Sequence, residues 1–270
     1  MAYPAAPSFP ATPDAASGGG GGGGGSTAAE WETVKNIDLT DVENQSAISG
    51  TVTLTFAGSD DELSVTRTTV GAGTMASITP TNGSGIVFTN ESGNGTASAS
   101  FLISSLFSAS WDRENTAKYL YAAHLVVTNI TYPVADTTSF QYIVNRGSTT
   151  AFNSGGARGM RWKDNDDGAN EDFRLRLNGS TSSSLGTQTI ATSKVITFLI
   201  WMGDVVGVQH TSGTTPPTPA PGAATTYTVG TGSISMGDTS PLYVSNGLRV
   251  LAGVLRGTQT VTRILVQRYK

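Results

Sequence analysis

Residues Val195 to Gln209 read VITFLIWMGDVVGVQ. From Val195 to Met202 the run is almost continuously apolar and rich in β-branched and aromatic side chains. Gly203-Asp204 interrupts it before a second run, Val205 to Gln209. A run this short, bounded by a turn signal, reads as a central strand covered on both faces that returns through a tight turn into an antiparallel neighbour. No window elsewhere holds an apolar stripe at i, i+3, i+4, i+7 long enough for a substantial helix. The best candidate, Arg113 to Tyr121, runs directly into period-two alternation.

Outward from this pair the same strand signal recurs. Val52, Leu54 and Phe56 alternate with threonines, Phe101 and Ile103 follow small residues, and Tyr119, Tyr121, Ala123, Leu125 and Val127 form a longer set. Phe140, Tyr142 and Val144 repeat the pattern, and Phe173, Leu175 and Leu177 face away from Arg174 and Arg176. Such alternation puts one face inward and one outward. Further strands are expected at Leu242 to Val244, Leu248 to Val254 and Val261 to Gln267. About a dozen strands at roughly even spacing, without a fixed repeat, predict an all-β, antiparallel two-sheet β-sandwich of jelly-roll-like form. Thr211 to Thr225 lacks core residues, and its four prolines bar it from a central strand, so it is expected to be a surface loop.

The N-terminal segment differs in kind. Residues 1–29 hold Pro4, Pro7, Pro10 and Pro13 and then an unbroken glycine run from Gly18 to Gly25. Proline favours extended polyproline-like chain and glycine leaves φ/ψ nearly free, so the segment reads as a stiff tip on a flexible tether. The organisation is thus an extended N-terminal arm, 1–29, before a β-sandwich domain, 30–270, with a Pro-rich loop at 211–225.

Composition narrows the function classes. With 37% hydrophobic and 13% charged residues the chain can bury a core. A net charge of −4 offers no basic field for nucleic acid. Cysteine is absent, so stability rests on packing, strand pairing or association with other chains. Residues Met1 to Pro13 lack the basic start and apolar core of a signal peptide. No segment approaches the about 20 apolar residues of a membrane helix, so a soluble protein of cytoplasmic synthesis with no membrane partner is expected.

Catalytic chemistry is sparse. The two histidines, His124 and His210, stand far apart in sequence, and His124 lies in an alternating strand, where a structural role is expected. Neither a G-x-S-x-G elbow nor a phosphate loop occurs. The polar concentration is Arg158 to Asp172, RGMRWKDNDDGANED. Its D-x-D-x-G spacing at Asp164, Asp166 and Gly168 departs from the calcium loop, because the glycine falls one place early and the bidentate-glutamate position counts to Leu175. We therefore expect no metal, no cofactor and no catalytic residue, and a solvated hairpin loop with internal Arg/Asp pairs. If the loop binds anything, Trp162 would stack on a sugar face while Asp164, Asp166, Asp167 and Asn170 accept its hydroxyls.

The strand–turn–strand at Val195 to Gln209 and the final Leu248 to Gln267 segment resemble a concanavalin-like or laminin-G-like sandwich. The whole chain, a Pro/Ala/Gly-rich arm before a cysteine-free, Thr/Ser/Gly-rich β-domain, resembles accessory structural proteins of tailed bacteriophages: capsid decoration proteins, head fibres and tail fibres. That resemblance implies a non-enzymatic role in the virion, attachment to other virion proteins through the arm, and cyclic assembly. The alternatives are a glycan-binding module that recognises a host surface and a glycosidase on a sandwich scaffold. Candidate edge segments Val52 to Phe56 and Tyr227 to Met236 contain no Lys or Arg, which also points to a covering neighbour and a homo-oligomer, most simply a trimer.

Overall fold

The structure, a computed structural model, describes residues 31–72, 76–90, 94–102, 121–131, 139–146, 158–164, 170–177, 180–181, 186–189, 191–201, 204–219, 225–226, 242–250 and 258–269. The arm therefore lies outside the described residues, as do Asp166, Asp167, the Tyr227 to Met236 segment and nearly all of Arg113 to Tyr121. Among the described residues the chain forms β1 (Trp31–Asp38), a 3-10 turn (Leu39–Asp41), β2 (Thr51–Phe56), β3 (Ser59–Ala72), β4 (Ala76–Thr81), β5 (Gly85–Asn90) and β6 (Asn94–Leu102). There follow β7 (Tyr121–Thr131), β8 (Ser139–Arg146), β9 (Arg158–Asp164), β10 (Asn170–Leu177), β11 (Ser180–Thr181) and β12 (Gly186–Thr189). The last are β13 (Lys194–Trp201), β14 (Asp204–Ser212), β15 (Thr225–Thr226), β16 (Leu242–Val250) and β17 (Thr258–Tyr269).

These strands form two antiparallel sheets, as the alternation predicts. The first runs β15-β14-β13-β7-β17-β5-β4, and the second β11-β10-β9-β8-β16-β6-β3-β2. Two strands take two partners along one edge. Residues 259–261 of β17 pair with β5 and residues 263–269 with β1, while β10 pairs with β12 and then β11. Leu54, Phe56, Leu63 and Val65 of the second sheet share one core with Phe88, Leu125, Phe198 and Ile264 of the first, which makes the pair of sheets a sandwich. Fully burying a side chain of this size is worth about 1.5–3 kcal/mol.

The VITFLIW run is an interior strand of the first sheet, between β14 and β7. Every residue of 194–200 is at most 1% exposed. Ile196, Phe198 and Ile200 point into the shared core, and Val195, Thr197 and Leu199 are buried on the opposite face. The chain returns antiparallel into β14 as expected, with Trp201 opposite Asp204. Two other expectations need correction. The Tyr121 to Val127 alternation does not leave one face in water: Ala122, His124 and Val126, on the non-core side, are as buried as Ala123 and Leu125. Its strand lies between β13 and β17, and its second face carries only one polar side chain. The expected break between Leu242 to Val244 and Leu248 to Val254 is also absent, because Ser245, Asn246 and Gly247 continue β16. Their partners on β6 and β8 supply the ladder that their own propensity does not.

Residues 39–50 close the open side of the sandwich. Backbone bonds run from Ala57 N–H to Asp41 O and from Glu43 N–H to Thr55 O at the β2 edge, then from Gln45 and Ile48 N–H to Pro80 and Ile78 O at the β4 edge. Leu39, Val42 and Ile48 drop into the core from this strap. The Val52 to Phe56 segment is indeed an edge strand, but the chain's own strap meets its C-terminal half. At the far edge of the second sheet, β11 and β12 are two and four residues long, and short edge strands blunt edge-to-edge pairing.

Candidate functional site

The Arg158 to Asp172 stretch is strand at both ends, and residues 165–169 between them lie outside the described residues. Residues 158–164 and 170–177 are paired strands, with Asp164 opposite Glu171, Lys163 opposite Asp172 and Trp162 opposite Phe173. Glu171 and Asp172 are buried, at 0% and 4% exposure. The hairpin is as expected, but its solvation is not at Glu171 and Asp172; an acid-rich segment is normally solvated, whereas a cation from the other sheet meets Glu171.

That cation is Lys194. It opens β13 on the same face as Ile196 and Phe198, and so points between the sheets. Its Nζ donates to both carboxylate oxygens of Glu171, at 2.6 and 2.7 Å. Neither side chain exceeds 1% exposure. Burial lowers Lys194 from its ordinary range to about 8, against the opposing pull of the Glu171 charge. His210 stands opposite Ile196 in β14, diagonal to Lys194 on the inner face. Its pKa is lowered, first by burial and then by the Lys194 charge, while Glu171 acts in the other direction. Glu171, Lys194 and His210 thus form one electrostatic group that spans the two sheets.

A second buried polar group occupies the outer face of the first sheet. His124 sits between Thr197 Oγ1, 2.9 Å from Nδ1, and Gln267 Oε1, 2.9 Å from Nε2. Gln267 Oε1 only accepts, so Nε2 carries the ring proton and Nδ1 accepts from the Thr197 hydroxyl. Burial lowers the His124 pKa to about 4, and the ring is neutral at physiological pH. The expected structural histidine is a crosspiece between β13 and β17.

Of the five candidate glycan residues, the backbone of Trp162, Asp164 and Asn170 is described. By register, positions 162 and 164 share the face of Glu171, which is turned toward the other sheet, whereas Asn170 and Asp172 fall on the opposite face. Asp166 and Asp167 lie outside the described residues. Among the described residues no group of three or more His, Cys, Asp or Glu side chains is arranged to hold a metal ion. Sequence reasoning missed Lys194 and the role of Glu171. The available signal was a single lysine abutting the longest apolar run, a place where a solvated cation would have to lie beside a buried strand.

No protein-family model and no curated protein matches this chain. Solved structures similar to it include an endo-1,3-β-glucanase from Streptomyces sioyaensis, at 12% identity, covering 92% of this chain and 100% of that one with a TM-score of 0.41. A non-specific endo-β-1,3(4)-glucanase of family GH16 aligns at 9% identity over 90% of this chain and 93% of that one, with a TM-score of 0.41. A botulinum neurotoxin type C structure concerned with ganglioside interaction aligns at 9% identity over 84% of this chain and 48% of that one, with a TM-score of 0.34. Likeness at this level carries no argument about activity or ligands.

Proposed function

We propose that this chain is a non-enzymatic β-sandwich module that attaches to a larger assembly, of the accessory virion kind that its sequence organisation resembles, through the arm at residues 1–29. The observation that carries this reading is the allocation of buried charge. Glu171 and Lys194, the kinds of side chain that serve as acids, bases and nucleophiles, are engaged with one another between the sheets at 0–1% exposure. His124 is held on both ring nitrogens beneath the surface. Groups so placed hold strands together and do not meet a substrate arriving from solvent. A buried charge pair that joins the two sheets of a cysteine-free module suits persistence in a particle. A homo-oligomer, most simply a trimer, fits such a role, because cyclic symmetry repeats one contact without leaving a sticky end.

The test is occupancy on the parent particle. Deleting residues 1–25 removes none of the described core, so the shortened protein should keep its β-sheet circular dichroism and its melting temperature while no longer binding the particle. Full occupancy by the shortened protein would overturn the arm assignment. A glycan array on the full chain is the counter-test. Selective binding that Trp162→Ala abolishes would favour the carbohydrate reading over attachment alone, despite the split of 162 and 170 across the two faces of the β9–β10 hairpin.

A further inference from the structure

We propose that Lys194 and Glu171 condense after folding into an amide that joins the two sheets covalently. The inference is independent of what the particle or partner is. It rests on three features of the pair. The first is geometry. Nζ lies 2.6 and 2.7 Å from the two carboxylate oxygens, so the fold holds the amine nitrogen in contact with the carboxyl group it would attack. Well-oriented intramolecular pairs react at effective concentrations of about 10⁵–10⁸ M.

The second feature is the environment. Ammonium and carboxylate do not condense in water, because hydration holds both as ions and bulk water drives the amide back. Here both side chains are withdrawn from solvent, so each charge carries a desolvation cost. The depressed lysine, at about 8, reflects the same penalty. Condensation removes both charges from the interior at once.

The third feature is placement. Lys194 belongs to β13 of the first sheet and Glu171 to β10 of the second, and neither strand pairs with the other in a ladder. The link would lie between the layers, where the described contacts include side-chain packing, the more exposed Lys35–Asp61 pair and the strap at 39–50. The step balances without a co-reactant. The Nζ lone pair attacks Cδ of Glu171, a carbon–oxygen bond breaks, and the departing oxygen leaves as water with the two protons that the ammonium gives up. His210 lies on the same inner face, diagonal to Lys194 and under the influence of both charges.

The experiment is the intact mass of the purified full-length chain, after folding and an overnight incubation, with peptide mapping. The expected result is a mass lower than that of the sequence by one water, no tryptic cleavage after residue 194, and a branched peptide joining Glu171 to Lys194. Lys194→Arg should restore the full mass. The wild-type measurement stands by itself if that variant does not fold. Folded protein of which most molecules keep the full sequence mass would overturn the proposal, and so would a water loss mapped to any other site. A failure here leaves the attachment reading untouched, since that reading is judged by particle occupancy.

Discussion

Two lysine–carboxylate pairs join the same two sheets. Lys35 of β1 meets Asp61 of β3 where both side chains keep about a third of their exposure, and Lys194 of β13 meets Glu171 of β10 where they keep none beyond 1%. The functional groups are the same and the surroundings differ. A unit-charge pair at about 4 Å interacts by roughly 1 kcal/mol in bulk water and about 4 kcal/mol at the effective dielectric of a protein. The inner pair also bears a desolvation cost that the outer one avoids, so losing one inner partner strands a charge, whereas losing one outer partner returns it to water. Location, not residue type, sets which pair the fold depends on.

The sharpest way to break this comparison is to remove one inner partner. Lys194→Met takes the opposing charge from the buried Glu171 carboxylate and should cost about 3–5 kcal/mol in urea unfolding. Measured against protein that keeps the full sequence mass, the double variant Lys194→Met/Glu171→Leu should recover most of that loss, because well-packed apolar groups replace a buried ion pair at little or no cost. A single-variant loss under about 1 kcal/mol would make the inner pair energetically a surface pair, and the distinction would fail.

The next test asks whether burial also governs a neutral group. His124 has a folded pKa of about 4, below its ordinary value near 6.5. Because the folded value is the lower one, the unfolded chain binds more protons between those limits, and stability falls as pH drops from about 6.5 toward 4. The loss attributable to this ring is about 3 kcal/mol. His124→Gln keeps hydrogen-bonding capacity without a titrating group, so its acid limb over that interval should be flatter than the wild type's. Parallel limbs would show that the interior at His124 does not resist charge.

How much of this was legible in the sequence follows from the same contrast. The run from Val195 to Trp201 declared a strand buried on both faces, since no side chain in it asks for water except Thr197. The Val52, Leu54 and Phe56 alternation likewise gave β2 its inward face, with Leu54 and Phe56 in the core. The inner pair was hidden. Glu171 sits among acids and Lys194 beside serine and threonine, and their meeting depends on two sheets packing at a separation of 23 residues, which no local pattern encodes. The second face of β7 was hidden for a related reason. Ala122, His124 and Val126 look like an ordinary outer face until the layer is assembled. Strand existence is written in periodicity, but which faces stay wet is a property of packing.

The smallest expected effect belongs to the outer pair. Lys35 donates a hydrogen bond to Asp61, and that bond is the main reason the Asp61 pKa is lowered. A depressed carboxylate contributes stability above its unfolded pKa and loses it as pH falls through the folded value, so the contribution should be present at neutral pH and vanish in acid. Exposure limits its size. Exposed pairs are worth about 0–1 kcal/mol, since water competes for both groups and two mobile side chains must be ordered to hold one geometry. A double-mutant cycle with Lys35→Ala and Asp61→Ala should therefore return a coupling below about 1 kcal/mol at low salt. It should shrink as the Debye length contracts from about 10 Å at 0.1 M to about 3 Å at 1 M. The corresponding loss at the inner pair should be indifferent to salt, because ions do not enter between the sheets. A Lys35–Asp61 coupling of several kcal/mol that survives 1 M salt would mean that the surface pair is sealed from solvent in the working protein. The boundary between the two regions would then have to be drawn outside β1 and β3.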